Sequence, residues 1–408
     1  MKTKLLLIFF LCLFTANITD ASEILQLTDG TESNGFPQWS PDGEKIVYYT
    51  LEEGNIGDTK IWVMDSDGSN KTQLTSGKSL GPIFLISGYS TTNQPWSPNG
   101  NKILYGSLLG LDVGDFPIPL KTDIRIMDAN GTSKKKVKGA SNAESYEWIQ
   151  NGTKIFMVDR SKKLWLLNLD GTDKVLLAQG AGNDSLFLWQ PYGNIILYAS
   201  KECDNYDLWL MNSDGSGKKQ LTSTPENEND MGWSPDGEKI IYTSKSFRDK
   251  TNYSTYHDTS FNYSETIWIM DADGTNKKQL TAPNRNWDSS PQWSPDGTKI
   301  VFQRMDVGTP FNIAVMNDDG SNLTILTTNG SIDISPQWSP KGDKIAFMSS
   351  KDGKFTISVI VLDEELASGP AAYVPDNIQK SPEKTPGFGS AIAIFMLFML
   401  GKNMRKVN

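Results

Sequence analysis

Histidine is nearly absent from this sequence: His257 is the only one in 408 residues. A Ser/His/Asp triad would have to use it, and no Gly-x-Ser-x-Gly elbow accompanies it. A multi-histidine metal centre cannot be built from one imidazole. The expectation is therefore no catalytic residue, no metal site and no cofactor. Cysteine is almost as scarce, with Cys12 in an N-terminal apolar run and Cys203 far from it. A chain that loses the first keeps one thiol and can form no internal disulfide. Basic runs are missing from the body of the chain, and 39 Lys and Arg face 48 Asp and Glu for a net charge of −9. Phosphate-backbone binding needs clustered cations, so a nucleic-acid partner is excluded. No apolar run reaches the roughly 20 residues of a membrane-spanning helix.

Turn residues and tryptophan are plentiful, and they recur. One phrase appears seven times, as Trp39-Ser-Pro-Asp-Gly-Glu-Lys-Ile46 and again from Trp96, Trp148, Trp189, Trp233, Trp293 and Trp338. Successive tryptophans stand about 41 to 60 residues apart, the range of stacked or radial repeats. A second phrase follows each of the first six, as in Ile61-Trp-Val-Met-Asp-Ser-Asp-Gly68 and Ile267-Trp-Ile-Met-Asp-Ala-Asp-Gly274. Most units end in Leu-Thr, as at Leu74-Thr75, Leu221-Thr222 and Leu280-Thr281.

Pro-Asp-Gly and Asp-Gly between apolar runs signal hairpins, because Gly accepts positive φ and Asp tolerates it. Each unit then reads as four antiparallel strands, a to d. Strand a ends at the phrase tryptophan, b follows the tight turn, c carries the second phrase and d ends at Leu-Thr. Radial repetition of such units is a β-propeller. The seventh unit has no d strand of its own, and Ile24-Leu25-Gln26-Leu27-Thr28 can supply it. The expected fold is all-β: a seven-bladed propeller of four-stranded antiparallel blades, the last completed by the N-terminal strand. Six or eight blades are the alternatives, since the third and fourth units depart from Ser-Pro-Asp-Gly.

In motif and order, these phrases resemble the TolB-type, WD-like propeller repeat over nearly all of residues 23–362. The resemblance implies the fold strongly. It implies activity weakly, because the family includes interaction platforms, peptidase propellers and oligogalacturonate lyases.

The ends lie outside the repeats. Residues 1–21 read as a signal peptide, with Lys2 and Lys4 before the apolar run Leu5 to Phe14. Residues 22–363 are the propeller, and 364–385 a Pro-containing linker. Residues 386–408 combine Pro386-Gly387-Phe388, a short apolar stretch and a basic end. That tail resembles the archaeal PGF-CTERM sorting signal, which implies membrane attachment by the tail or by a lipid replacing it. The expected location is the outer face of the cell membrane. Eight Asn-x-Ser/Thr triplets after residue 21, including Asn70, Asn130 and Asn322, agree with an exterior address.

The Asp-x-Asp-Gly segments fall where hairpin turns are needed and lack the further ligands of a calcium loop. Of the twelve tryptophans, seven belong to the first phrase and Trp62, Trp165, Trp209 and Trp268 to strand c, so they read as packing. Trp287 alone reads as a loop residue. The a–b and c–d turns are short. The long segments are 76–95, 106–122, 244–266 and 282–291, all d–a or b–c connections that emerge on one face. The 244–266 segment carries Phe247, Tyr253, Tyr256, His257, Phe261 and Tyr263. These six residues and Trp287 are the candidate binding surface for an envelope protein or a surface glycan. The competing reading is a polysaccharide lyase or hydrolase acting near the central channel, although no carboxylate pair stands out. A monomer is expected.

Overall fold

The computed structural model describes residues 23–51, 59–76, 95–110, 119–149, 152–180, 184–201, 205–247, 263–283, 286–350 and 353–367. Their secondary structure is almost entirely antiparallel β.

The turn chemistry sets the strands as the composition implies. In the first repeat, strand a (Ser33–Trp39) turns into strand b (Lys45–Leu51) through Ser-Pro-Asp-Gly. Ser40 Oγ donates to Asp42 Oδ1 at 2.6 Å and accepts from the Lys45 N–H at 2.9 Å. The Glu44 N–H donates to Asp42 Oδ1, and the Gly43 N–H to the Ser40 carbonyl. Serine and aspartate therefore satisfy the turn's backbone, and the same bonds recur at Ser234 and Ser294. The c–d turn needs glycine for a second reason. Gly68 has φ +85°, and a Cβ there would stand 3.2 Å from Leu27 of the neighbouring sheet.

Strands b and c are apolar on both faces because sheets pack on either side. In strand b of the first repeat, Ile46, Val47, Tyr48 and Tyr49 are all buried. The tryptophans link the repeats. Trp96 donates its indole N–H to the Gln38 carbonyl, Trp148 to that of Pro95 and Trp233 to that of Leu188. Each acceptor immediately precedes the tryptophan of the repeat before. Trp39 donates to the Gln337 carbonyl at 3.2 Å, so the same link returns from the first repeat to the last and closes the ring.

The Leu-Thr endings have a structural task that the sequence did not reveal. Thr75, Thr222, Thr281 and Thr327 each accept a backbone N–H of their own strand c, those of Ile61, Leu208, Ile267 and Ile313. Thr222 also donates to Glu228, which opens strand a of the next repeat. Thr28 does the same work across the chain ends, accepting the Ile357 N–H at 2.9 Å. Beside it, strand Glu23–Gln26 pairs with Phe355–Val361, so the outer strand of the last sheet comes from the start of the propeller.

Among the described residues, seven separate four-stranded blades do not appear. Hydrogen bonds gather the described strands into six sheets: four of four strands, one of eight and one of three. Only five sheets reach the four strands of a complete blade. On that count the propeller has five blades, against the seven expected and the six or eight held as alternatives. Two local causes account for the difference. Strand c of the fifth repeat (Tyr263–Asp271) meets strand a of the sixth (Asn286–Trp293) in a parallel bridge, Glu265 opposite Trp287. The fifth and sixth repeats thereby share the eight-stranded sheet. In the second repeat the described part of strand a is a single bridge, Trp96 with Ile103, and the sheet counts three described strands. No described helix is long and apolar enough to cross a membrane.

Candidate binding site at the junction of the fifth and sixth repeats

Five repeats carry the same β-bulge in strand a just before the phrase tryptophan, between Gly35 and Gln38, Ser185 and Leu188, Asn229 and Gly232, Ser289 and Gln292, and Ile334 and Gln337. One residue in each bulge takes a positive φ: Phe36, Leu186, Asp230, Ser290 and Ser335. A bulge leaves a backbone N–H outside the ladder, and a buried N–H needs an acceptor. The Ser335 N–H finds Gln303 Oε1 at 3.1 Å, and the Ser290 N–H finds Asp230 Oδ2 at 2.9 Å. A neutral amide meets the need at one junction, so the charge of Asp230 exceeds what the fold requires.

Three further residues stand beside Asp230, and two of them, Glu265 and Trp287, have no counterpart in the other repeats. Lys245 pairs with Glu265 across strands b and c, and Glu265 stands opposite Trp287 in the next repeat. Cross-strand partners share a sheet face, so Lys245, Glu265 and Trp287 form one row. Two residues before the strand-c core, where Glu265 stands, the other repeats have Thr59, Thr122, Lys162, Tyr206, Phe311 and Phe355. Glu265 is the only acid in that column, and Asp230 is the only charge among the residues three before each phrase tryptophan.

The row is tightly built. Thr243 Oγ1 donates to Glu265 Oε1 at 2.9 Å. Lys245 Nζ lies 5.1 Å from the centroid of the Trp287 ring, within cation–π range. Trp287 meets Phe311 edge-on at 5.8 Å. Glu265 is 6% exposed, while Asp230, Lys245 and Trp287 each keep part of their surface open. Burial pushes the Glu265 carboxyl up, and the nearby Asp230 charge pushes it further. Burial raises Asp230 as well, against the lowering effect of the Ser290 N–H and Lys245.

Other buried acids serve the scaffold. Glu228 accepts from Thr222 and Thr224. Asp288 lies 3.2 Å from Arg304 Nε and accepts from Asn286. Ser349 donates to Asp333. Glu147 accepts the Trp189 N–H at 3.1 Å, and burial pushes its carboxyl up to about 8. In the folded state Glu147 therefore holds its proton at pH values where an unfolded chain has lost it. Its contribution is most favourable below the ordinary carboxylate range and is lost as pH rises toward 8. The Glu147→Gln variant keeps the acceptor and removes the titration. It should be more stable than the parent at pH 8, by up to a few kcal/mol, and nearly equal at pH 4.5. Urea unfolding at both pH values measures this; an equal difference at both would contradict it.

The residues expected from sequence are only partly brought together. Trp287 is not in a loop. It lies in strand Asn286–Trp293, half-buried against the core. Phe247 and Tyr263 are strand residues too, paired with each other at the end of the long hairpin of the fifth repeat. Tyr253, Tyr256, His257 and Phe261 lie outside the described residues. Sequence reading missed Asp230, Lys245 and Glu265, although aligning the repeats by column would have exposed both acids. Among the described residues, no group of three His, Cys, Asp or Glu side chains is arranged to hold a metal ion.

The comparisons with known proteins agree with this architecture. Residues 257–369 match the family model described as the TolB beta propeller domain. Over that stretch the propeller is TolB-like. An uncharacterized protein of Agrobacterium fabrum is 30% identical over 92 residues, 21% of this chain and 29% of that one. Dipeptidyl-peptidase 5 of Porphyromonas endodontalis is 24% identical over 151 residues, 37% of this chain and 19% of the peptidase. The chain thus spans less than a third of either curated relative. Among solved structures, an oligogalacturonate lyase in complex with manganese superposes with a TM-score of 0.59 at 16% identity, covering 86% of this chain and 96% of the lyase. The β-propeller domain of the Trilobed protease from Pyrococcus furiosus gives 0.55 at 13%, covering 81% and 95%. At such identities the likeness concerns the fold.

Proposed function

We propose that this TolB-like propeller is a binding scaffold that captures an envelope protein or cell-surface glycan through its long-loop face. In this reading it is secreted and held at the outer face of the membrane by its C-terminal tail or a lipid in its place. The observation that carries the reading is the row Lys245, Glu265, Trp287 with Asp230, which puts two acids and an indole at positions where no other repeat has an acid or a tryptophan. The row lies at the base of the longest b–c connection, where strands Lys239–Phe247 and Tyr263–Asp271 rise as a long hairpin. An open indole beside charged groups suits recognition of polar surfaces.

The test replaces residues 248–262 by an Asn-Gly turn joining Phe247 to Tyr263, which already face each other. Thermal stability should be unchanged, and capture from native envelope extract should be lost. Undiminished capture would remove the long-loop face from consideration. A second reading, polysaccharide cleavage, gains from the neighbouring Asp230 and Glu265 carboxyls, since glycoside hydrolysis uses paired acids. Incubation with acidic oligosaccharides and a divalent metal ion decides it, because bond cleavage would replace the binding reading.

A further inference from the structure

We propose that Asp230, Glu265 and Trp287 form a receptor for one ammonium or guanidinium group of a protein partner, and that Lys245 is the internal cation which that group displaces. The proposal rests on the binding reading above and names the chemistry of its ligand.

Several observations converge on a cation. Lys245 stands opposite Glu265 in the ladder with its ammonium 5.1 Å from the centroid of the Trp287 ring, and its charge opposes the burial that pushes the Glu265 and Asp230 carboxyls up. Carboxylates flanking an aromatic face are a general means of holding a cation. The occupant arrives from an exposed position. Lys245 lies near the end of strand Lys239–Phe247, only partly buried, and its flexible stem allows the ammonium to swing into solvent. The acids are fixed. Asp230 is held by the Ser290 N–H and Glu265 by Thr243, so the receptor persists when the lysine leaves.

Scaffold needs do not explain the arrangement. Gln303 performs the bulge-capping task of Asp230 without charge, and Phe311 and Phe355 fill the Glu265 position with apolar rings. A guanidinium suits the site better than an ammonium, because it stacks on an indole and forks onto a carboxylate. A glycan suits it less, since neutral hydroxyls cannot replace a charge held between acids. The net charge of −9 also favours encounter with a basic surface.

The experiment is calorimetric titration of the full chain with the peptide acetyl-Gly-Arg-Gly-amide, using its citrulline counterpart as the neutral control. The arginine peptide should bind and the citrulline peptide should not. Lys245→Met keeps the apolar stem and removes the competitor, so it should tighten binding by roughly tenfold. Asp230→Asn, which retains an acceptor for the Ser290 N–H, and Glu265→Gln should each weaken binding by at least as much, with near-ultraviolet circular dichroism confirming an unchanged fold. Equal binding of both peptides would overturn charge recognition. Unchanged or weaker binding by Lys245→Met would overturn displacement. If the hairpin replacement abolishes envelope capture while no arginine peptide binds, the long-loop face stands and the cation receptor falls. Capture then competed by neutral oligosaccharides would assign the face to a glycan.

Discussion

Deleting residues 23–28 should abolish the cooperative unfolding transition and leave an aggregating chain. That segment supplies four paired residues along Phe355–Val361. It also supplies the buried Leu27 side chain and the Thr28 hydroxyl that accepts the Ile357 N–H. Losing a buried leucine costs about 2–5 kcal/mol. Stranding a buried N–H costs about 1–3 kcal/mol more. The sum approaches the whole stability of an ordinary domain, about 5–15 kcal/mol. The deletion also exposes the edge of Phe355–Val361, whose residues Ile357, Val359 and Ile360 are buried in the intact ring. An uncovered apolar edge pairs with other chains. Circular dichroism melting and size-exclusion chromatography read both effects. A monomer with the parental melting temperature would show that the ring does not depend on this strand.

Trp293→Ala should lower stability sharply. Trp293 is 1% exposed and packs with Ile300, Phe302 and Met316 in one buried cluster. Removing so large a side chain leaves a cavity and costs about 3–5 kcal/mol. The expected fall in melting temperature is roughly 10 °C. Trp287→Ala should cost less stability, because that ring is only half-buried. Binding should show the reverse order: Trp287→Ala loses the arginine peptide, and Trp293→Ala retains it at temperatures where it is folded. If both substitutions acted equally on stability and binding, the division between packing and contact tryptophans would fail.

The contrast shows what the sequence made legible. Hairpin turns are local, so Ser40, Asp42 and Gly43 announce their strands within a few residues. The strand borrowed from the chain start was legible because Leu27-Thr28 repeats Leu74-Thr75 in a unit that lacked it. The number of complete sheets was not legible. It depends on the single bridge between Glu265 and Trp287, and on a described strand a that is one bridge long at Trp96. Neither leaves a local mark. Thr222 illustrates a middle case, because its position was visible while its partner Glu228 became clear only in three dimensions.

The candidate site was less legible still. Aromatic density drew attention to 244–266, yet the charged row joins Asp230, Lys245, Glu265 and Trp287 from four strands. Each looks ordinary in its own neighbourhood. Glu265 next to Thr266 in a strand reads as a solvent-facing residue, and only its burial against the sixth repeat makes it unusual.

The borrowed strand has a topological consequence. Glu23 pairs with Val361, so the two ends of the ring stand side by side as the arms of a hairpin. In the first repeat the same place is spanned by Asp65-Ser-Asp-Gly68, between strands Lys60–Asp65 and Thr72–Gln73. The propeller therefore begins where one turn of an otherwise repeated set was left open. A circularly permuted chain, joined there by an Asp-Ser-Asp-Gly turn and opened at another c–d turn, would trace the same ring from a different starting point.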